Sequence, residues 1–492
     1  MKFISTRGKE SVLNASEAIV KGLASDGGLF VPSTFPVLKD KIKDLLDMTY
    51  PERAATVIGS YLEEYDFNDL LSACKKAYGR FDEDGAAPVV KIDDKTFVLE
   101  LFHGPTLAFK DIALTLLPYL LRKGADHVGI KEQIMILVAT SGDTGKAALE
   151  GFCNQDGIKI NVFYPDDGVS DMQKLQMATQ EGDNVNVVAV KGNFDDCQNA
   201  VKRLFSDTDF AKELKENGVI LSSANSINFG RLVPQIVYYF SAYCDLVNSE
   251  EIKLGDKVDF VVPTGNFGNI LAGYYAKLMG LPVGKLVCAS NKNNVLTDFF
   301  LSGEYDKRRE FYKTSSPSMD ILISSNLERL IFEVSGRNGE LTASRMEQLK
   351  TDGNYSLTTA ERKLIANSFV AGYADEYECA QIINEVFEDL GYLSDTHTAV
   401  ALKVCEDTMT EDSNNVVVLS TASPYKFPAS VYQAITGKNI VDAFVAADKL
   451  EEISANPIPN QILSLKQKKV RFTKVISSED CSSAVLEFAK QK

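Results

Sequence analysis

An α/β architecture, in which helices cross over a parallel sheet, is predicted by three observations on this 492-residue chain. From about residue 95, short β-branched runs alternate with amphipathic segments. Polar loops bearing glycine or serine follow several of the apolar runs. The composition, 45% hydrophobic and 24% charged, is enough to bury a sizeable core, which at this length means two or three domains.

The region up to about residue 90 is mixed and helix-leaning. Its turn-like Ser25-Asp26-Gly27-Gly28 leads into Leu29-Phe30-Val31-Pro32, and it reads as a module placed before the main core. Strands are predicted over 134–139, 159–164, 185–190, 258–262, 285–289 and 416–420. Helices are predicted between them over 111–123, 144–154, 172–181, 229–246 and 269–279. Open α/β sheets bind ligands beyond the carboxyl ends of their strands. Loops 140–145, 264–269 and 421–427 follow apolar strands, so the periodicity predicts three ligand loops on one edge of one sheet.

Bulk properties remove several function classes. A formal charge of -16 repels phosphate backbones and anionic lipid, which argues against nucleic acid as a partner. The longest apolar stretches fall far short of the roughly 20 residues of a bilayer span. The N-terminus shows no apolar leader segment, so a cytoplasmic location is expected. Eight cysteines form no CxxC pair, and only His103, His127 and His397 are present, without an HExxH. Metal catalysis has little material, and no metal site is expected.

Four groups of residues carry chemistry. Gly265-Asn266-Phe267-Gly268-Asn269, between a strand and a helix, directs successive backbone N–H groups outward as an anion nest, which suits a single phosphomonoester. A Cβ at Gly265 or Gly268 is expected to block the close approach or the backbone angles. An ordinary tight turn is the alternative. Lys110, in an apolar, turn-rich stretch before a helix, has the setting of a lysine with a depressed pKa able to form a Schiff base. A lysine reaching solvent is the alternative. Ser141, Gly142, Thr144 and Gly145 offer hydroxyls and helix-start amides to a carboxylate, or else Ser141 or Asp143 simply caps the helix. Thr421 can donate to an aromatic nitrogen and Lys426 can meet a phosphate, unless both are turn and surface residues.

Taken together these segments resemble the threonine synthase family. Glu100-Leu-Phe-His-Gly-Pro-Thr-Leu-Ala-Phe-Lys-Asp111 is similar to the family's pyridoxal-phosphate lysine signature. Ala139 to Gly145, Asn225 to Phe229, Pro263 to Asn269, Ser316 to Asn326 and Thr421 to Phe427 resemble further blocks in the same order. Glu17 to Pro32 resembles the family's leading domain, so the likeness spans residues 1 to about 435. It implies the fold-type-II architecture of tryptophan synthase β: large and small open parallel-sheet domains with a cleft, plus the N-terminal module. Many members of that wider fold carry an asparagine where this chain has Asp143; bacterial-type and fungal-type threonine synthases carry the aspartate.

The implied domains are 1–90, a catalytic core over 91–435 with the small domain roughly at 130–240, and a C-terminal extension over 436–492 packing on the large domain. The implied cofactor is pyridoxal 5'-phosphate on Lys110, its phosphate on Gly265, Asn266, Phe267, Gly268 and Asn269, its ring nitrogen on Thr421. The implied substrate is O-phosphohomoserine. Its carboxylate is expected on Ser141 and Thr144, near Asp143, and its phosphate on Lys426 with Arg231 as second choice. The resemblance implies conversion of this substrate and water to threonine and phosphate. A related phospho-lyase or dehydratase releasing 2-oxobutyrate and a non-catalytic ligand-binding relative are the alternatives. Monomer and homodimer both stay open.

Overall fold

The computed structural model of the chain describes residues 1–82, 86–166, 169–410 and 412–491, the side chain of residue 195 excepted. Two open sheets carry the fold. The larger has six strands in the order Phe369–Tyr373, Val283–Ser290, Val258–Pro263, Asn415–Ser420, Thr96–Glu100, Val89–Lys91. Every neighbouring pair in it is parallel except the edge strand Val89–Lys91. The smaller has five parallel strands in the order Val475–Ile476, Val185–Val190, Ile158–Pro165, Gln133–Ala139, Val219–Ser222. Val258–Pro263 and Ile158–Pro165 are buried at every residue, as strands covered by helices on both faces must be.

The two sheets correct one expectation. Loops 264–269 and 421–427 follow adjacent strands of the six-stranded sheet, but loop 140–145 follows Gln133–Ala139 in the five-stranded one. Alternation along the chain marks each strand without naming its partner. Gln133–Ala139 pairs with Ile158–Pro165 and Val219–Ser222, and Met135, Leu137, Phe163, Val188 and Cys197 fill a cluster of their own. The candidate site therefore lies between two sheets rather than along one edge. A second correction is local: the helix expected over 111–123 is two helices, Lys110–Leu114 and Leu117–His127. Pro118 lies in the first turn of the second, where its missing N–H costs no hydrogen bond.

The N-terminal segment forms a three-stranded antiparallel sheet and the helices Ala15–Lys21, Tyr50–Gly59 and Phe67–Tyr78. Its core merges with that of the buried helix Phe229–Asn248. The Phe3 and Phe229 rings meet edge to face at 4.7 Å, and Arg53 Nη1 donates to Asp245 Oδ1 at 2.6 Å. Asn228 Nδ2 donates to the Ile19 carbonyl at 2.9 Å.

The C-terminal stretch, expected against the large domain, divides between the two sheets. Ala447 and Leu450 of Ala443–Ser454 join the cluster over the six-stranded sheet. Val475–Ile476 instead extends the five-stranded sheet, and Cys481, Val485 and Phe488 pack into its cluster. The apolar spacing of that last helix matches a face of the small sheet, and crossing to it covers that sheet's edge strand.

Candidate active site

The helix that begins at Lys110 is anchored to the end of a central strand. Phe109 N–H donates to the Thr421 carbonyl at 2.9 Å, and Ser423 N–H donates to the Leu107 carbonyl at 3.1 Å. Asp111 accepts from the Thr106 amide at 2.8 Å and from the Thr106 hydroxyl at 2.6 Å, which closes the loop ahead of the helix. Lys110 is thereby directed inward. Its Nζ lies 3.3 Å from Ser318 Oγ, 3.6 Å from Asp143 Oδ2, and 4.7 Å from the Phe109 ring centre.

Asp143, at the start of Asp143–Phe152 on the other sheet, is the electrostatic centre. Lys426 Nζ meets its Oδ1 at 2.8 Å, Gln173 Nε2 donates to the same oxygen at 3.1 Å, and Ser318 Oγ donates to Oδ2 at 3.3 Å. Burial alone would raise the pKa of this carboxyl. Lys426, Lys110 and His397 outweigh burial and hold it well below the usual carboxylate range. The Lys110 amine is pushed down to about 8 by burial, with Asp143 opposing and the charges of Lys426 and Arg231 assisting. Such an amine exchanges protons readily near neutral pH.

The two cations expected at a substrate phosphate differ sharply. Lys426 is 2% exposed and already held by Asp143 and by the Thr106 carbonyl at 2.9 Å, so it is neither a surface residue nor an open cation. Arg231 is buried, and burial alone lowers its pKa, to about 10. Its Nη1 donates to the Ala224 carbonyl at 3.0 Å and its Nε has no partner among the described residues. A buried guanidinium without a counter-ion is the stronger anion receptor of the two.

The glycine loop is held from behind. Asn326 donates through its amide at 3.1 Å and through Nδ2 at 3.0 Å to the Asn266 carbonyl, and Ser324 Oγ donates to the Gly265 carbonyl at 2.7 Å. Arg329, fully buried, donates to Asn326 Oδ1, to the Phe30 carbonyl at 3.0 Å and to the Ile227 carbonyl at 2.6 Å. The N-terminal sheet thus buttresses this loop through one arginine. Phe267, not a glycine, takes the left-handed conformation, with φ 63°.

The two glycines are not equivalent. A Cβ on Gly265 would lie 2.7 Å from the Ser318 carbonyl oxygen and 3.2 Å from Met319 Cα, both backbone atoms. A Cβ on Gly268 would meet nothing closer than Asn326 Nδ2 at 3.5 Å, and Gly268 has no positive φ. Against the protein's own atoms, only Gly265 of the two excludes a side chain.

Neither Ser141 nor Asp143 caps Asp143–Phe152. The Thr140 hydroxyl accepts from the amides of Gly142 at 3.0 Å and Gly145 at 2.9 Å, and the half-buried Ser141 and Thr144 hydroxyls have no partner among the described residues. Sequence reasoning missed the roles of Ser318, Gln173 and the pair Asp395 and His397. His397 Nε2 accepts from the Ser318 amide at 3.2 Å while its Nδ1 bonds Asp395 Oδ2 at 2.8 Å, so the imidazole positions the serine that touches Lys110. The available signal was an aspartate two residues before a histidine at a helix start.

A parallel-sheet cleft with a buried lysine of lowered pKa near an amide-rich turn defines the class: a fold-type-II pyridoxal-phosphate dependent enzyme. Residues 2–78 match the family described as threonine synthase N terminus, 83–422 match pyridoxal-phosphate dependent enzyme, and 398–485 match threonine synthase, C-terminal. The chain is 41% identical to threonine synthase of Pseudomonas aeruginosa, over 95% of this chain and 97% of that protein. It is 44% identical to threonine synthase-like 1 of Homo sapiens over 89% of its length, but spans 61% of that relative. The solved structure of threonine synthase from Brucella melitensis with pyridoxal phosphate bound covers 100% of both chains, with TM-score 0.89 at 38% identity. The chain belongs to the threonine synthase family.

The residues present fit the cofactor that membership brings. Among the described residues no protein acceptor takes the N–H groups of Gly265 to Asn269, and the buried Asn269 Nδ2 is unpartnered. The first-turn amides of Gly268 and Asn269 have no carbonyl within the helix. These are donors awaiting an anion. No helix among the described residues is long and apolar enough to cross a membrane.

Proposed function

We propose that this chain converts O-phosphohomoserine and water to threonine and inorganic phosphate. The observation that carries the reading is the buried cluster of Lys110, Asp143 and Lys426, together with a buried Arg231 that has no ion pair among the described residues and whose charge acts on Lys110, in a chain of this family. Lys110 would link the cofactor, the amides of Gly265 to Asn269 would hold its phosphate, and the Thr421 hydroxyl would face its ring nitrogen. Pyridoxal phosphate supplies, when bound, an electron sink for charge developing beside the substrate's amino group.

The chain's own groups supply binding and proton transfer. Arg231, rather than the already paired Lys426, would receive the substrate's phosphate, because an anion there removes the cost of a buried lone cation. Ser141 and Thr144, whose hydroxyls are uncommitted, would orient the carboxylate. The Lys110 amine would take up and return protons at the substrate's carbons, in step with its pKa of about 8. Asp143 would keep that amine positioned through both protonation states, and Ser318, steered by His397, would fix its direction. Burial of the cluster keeps bulk water away until one water adds. Incubating the protein with cofactor and O-phosphohomoserine and measuring products tests the reading: equal phosphate and threonine support it, whereas 2-oxobutyrate with ammonia points to a phospho-lyase.

A further inference from the structure

A cavity of about 440 Å³ lies behind the Lys110 loop and is lined by none of the residues assigned above. Its walls come from three distant stretches: Arg80 after the N-terminal helices, Lys146, Glu150 and Gln176 from the five-stranded sheet's helices, and Ser464 and Lys468 from the C-terminal segment. We infer that this cavity is a second anion site, built for a tetrahedral phosphate dianion, free or as a phosphomonoester, that carries a hydrogen-bond donor.

Charge is the first argument. Arg80, Lys146 and Lys468 face one carboxylate, Glu150, which is shared between Arg80 at 2.7 Å and Lys146 at 3.1 Å. Among the lining side chains two positive charges are left over, with Asp111 acting on Lys146 only through space, in a chain of formal charge -16, where cations usually find carboxylates easily. The half-buried Lys468 has no ion pair among the described residues, and its charge opposes that of the buried Lys146. An anion between them converts this repulsion into two charge-assisted contacts.

The second argument is an unmet hydrogen bond. Gln176 is 2% exposed, lines the cavity, and its Oε1 has no partner among the described residues. Buried polar atoms are normally satisfied, so this acceptor asks for a donor. Hydrogen phosphate, or the hydroxyl of a phosphomonoester, brings a donor and the negative charge in one molecule. The cavity volume accommodates either. A bound dianion would tie Asp143–Phe152, whose first residue faces Lys110, to the segment 464–468.

The test uses the full chain saturated with pyridoxal phosphate, in equilibrium dialysis against labelled inorganic phosphate and, separately, labelled glycerol 3-phosphate. Two classes of phosphate site are expected, one displaced by a phosphonate analogue of the substrate, which releases no phosphate, and one not. Loss of one charge-assisted contact in Lys468→Gln weakens the second class about tenfold. Ser464→Asp, which adds a carboxylate, abolishes it. Both variants keep the parent's cofactor stoichiometry, circular dichroism and competitive inhibition by phosphate. Tighter binding of glycerol 3-phosphate assigns an organic phosphate, and equal or weaker binding assigns the free ion. A single class of site fully displaced by that phosphonate, or unchanged binding in both variants, overturns the inference.

Discussion

Replacing Asp143 by Asn removes one charge from the centre of the cluster with almost no change of shape. Its carboxylate lies 3.6 Å from Lys110 Nζ. At an effective dielectric of about 20, a pair at that separation is worth about 4–5 kcal/mol. Each factor of ten in protonation is about 1.4 kcal/mol, so the Lys110 pKa falls by as much as about three pH units, and by at least one after relaxation. In the parent, burial and neighbouring cations set this pKa at about 8. The neutral amine is the form that captures an aldehyde. Capture of pyridoxal phosphate by the cofactor-free chain therefore rises through about pH 8 in the parent and below about pH 7 in Asp143→Asn. Stopped-flow absorbance across pH 5.5 to 9.5 reads both midpoints, an assay range set around the pKa difference. The variant is also less stable, since Lys426, 2.8 Å from the lost carboxylate, becomes a buried unpaired cation, at a cost of up to about 3–5 kcal/mol. In the parent the folded pKa of Lys110 lies below its ordinary 10.5. The folded chain binds fewer protons across that window, so this group's contribution to stability rises from pH 8 to 10.5. A capture midpoint in Asp143→Asn that stays at 8 or moves upward would refute the electrostatic account.

The other substitutions separate steric from electrostatic roles. Gly265→Ala drives a Cβ to 2.7 Å from the Ser318 carbonyl and should lower cofactor affinity at least tenfold in fluorescence titration, whereas Gly268→Ala, with 3.5 Å to its nearest neighbour, should bind within about threefold of the parent. Arg231→Gln removes a buried cation that has no ion pair among the described residues: KM for O-phosphohomoserine should rise ten- to a hundredfold in steady-state kinetics, about 1.5–3 kcal/mol, with cofactor stoichiometry unchanged. After borohydride reduction, peptide mapping should place the pyridoxyl group on Lys110, and Lys110→Ala should show no labelled peptide and no turnover.

Much of the frame is legible in the chain because its central strands are continuous β-branched runs. Val185–Val190 occurs with the expected ends, and Val258–Pro263 and Asn415–Ser420 each run one residue longer than expected. The strands that escaped notice lie where the pattern weakens. Val219–Ser222 and Phe369–Tyr373 are edge strands with half-exposed residues, and Thr96–Glu100 carries polar residues at both ends. Sheet membership was beyond reach for a different reason. Periodicity reports which face of a strand is buried but not which strand lies beside it, so nothing in the pattern separates loop 140–145 from the two loops of the other sheet.

Within the site, Lys110 and the glycine loop were legible because each breaks a local rule: a lysine among apolar residues, and an amide-rich turn at a helix start. The rank of Lys426 and Arg231 was not. A lysine in a polar loop reads as open until a carboxylate 283 positions away in the chain is folded against it. Ser318 and His397 were hidden for the same reason, since their contacts cross 79 and 208 positions of sequence.

The central claim is that the cluster around Lys110 steers O-phosphohomoserine to hydration rather than to elimination alone. Turnover in oxygen-18 water, followed by mass spectrometry of the products, tests this most directly. The account predicts one phosphate per threonine, with the label in the threonine hydroxyl and little 2-oxobutyrate. Release of 2-oxobutyrate and ammonia as the main products, or threonine without the label, would contradict it.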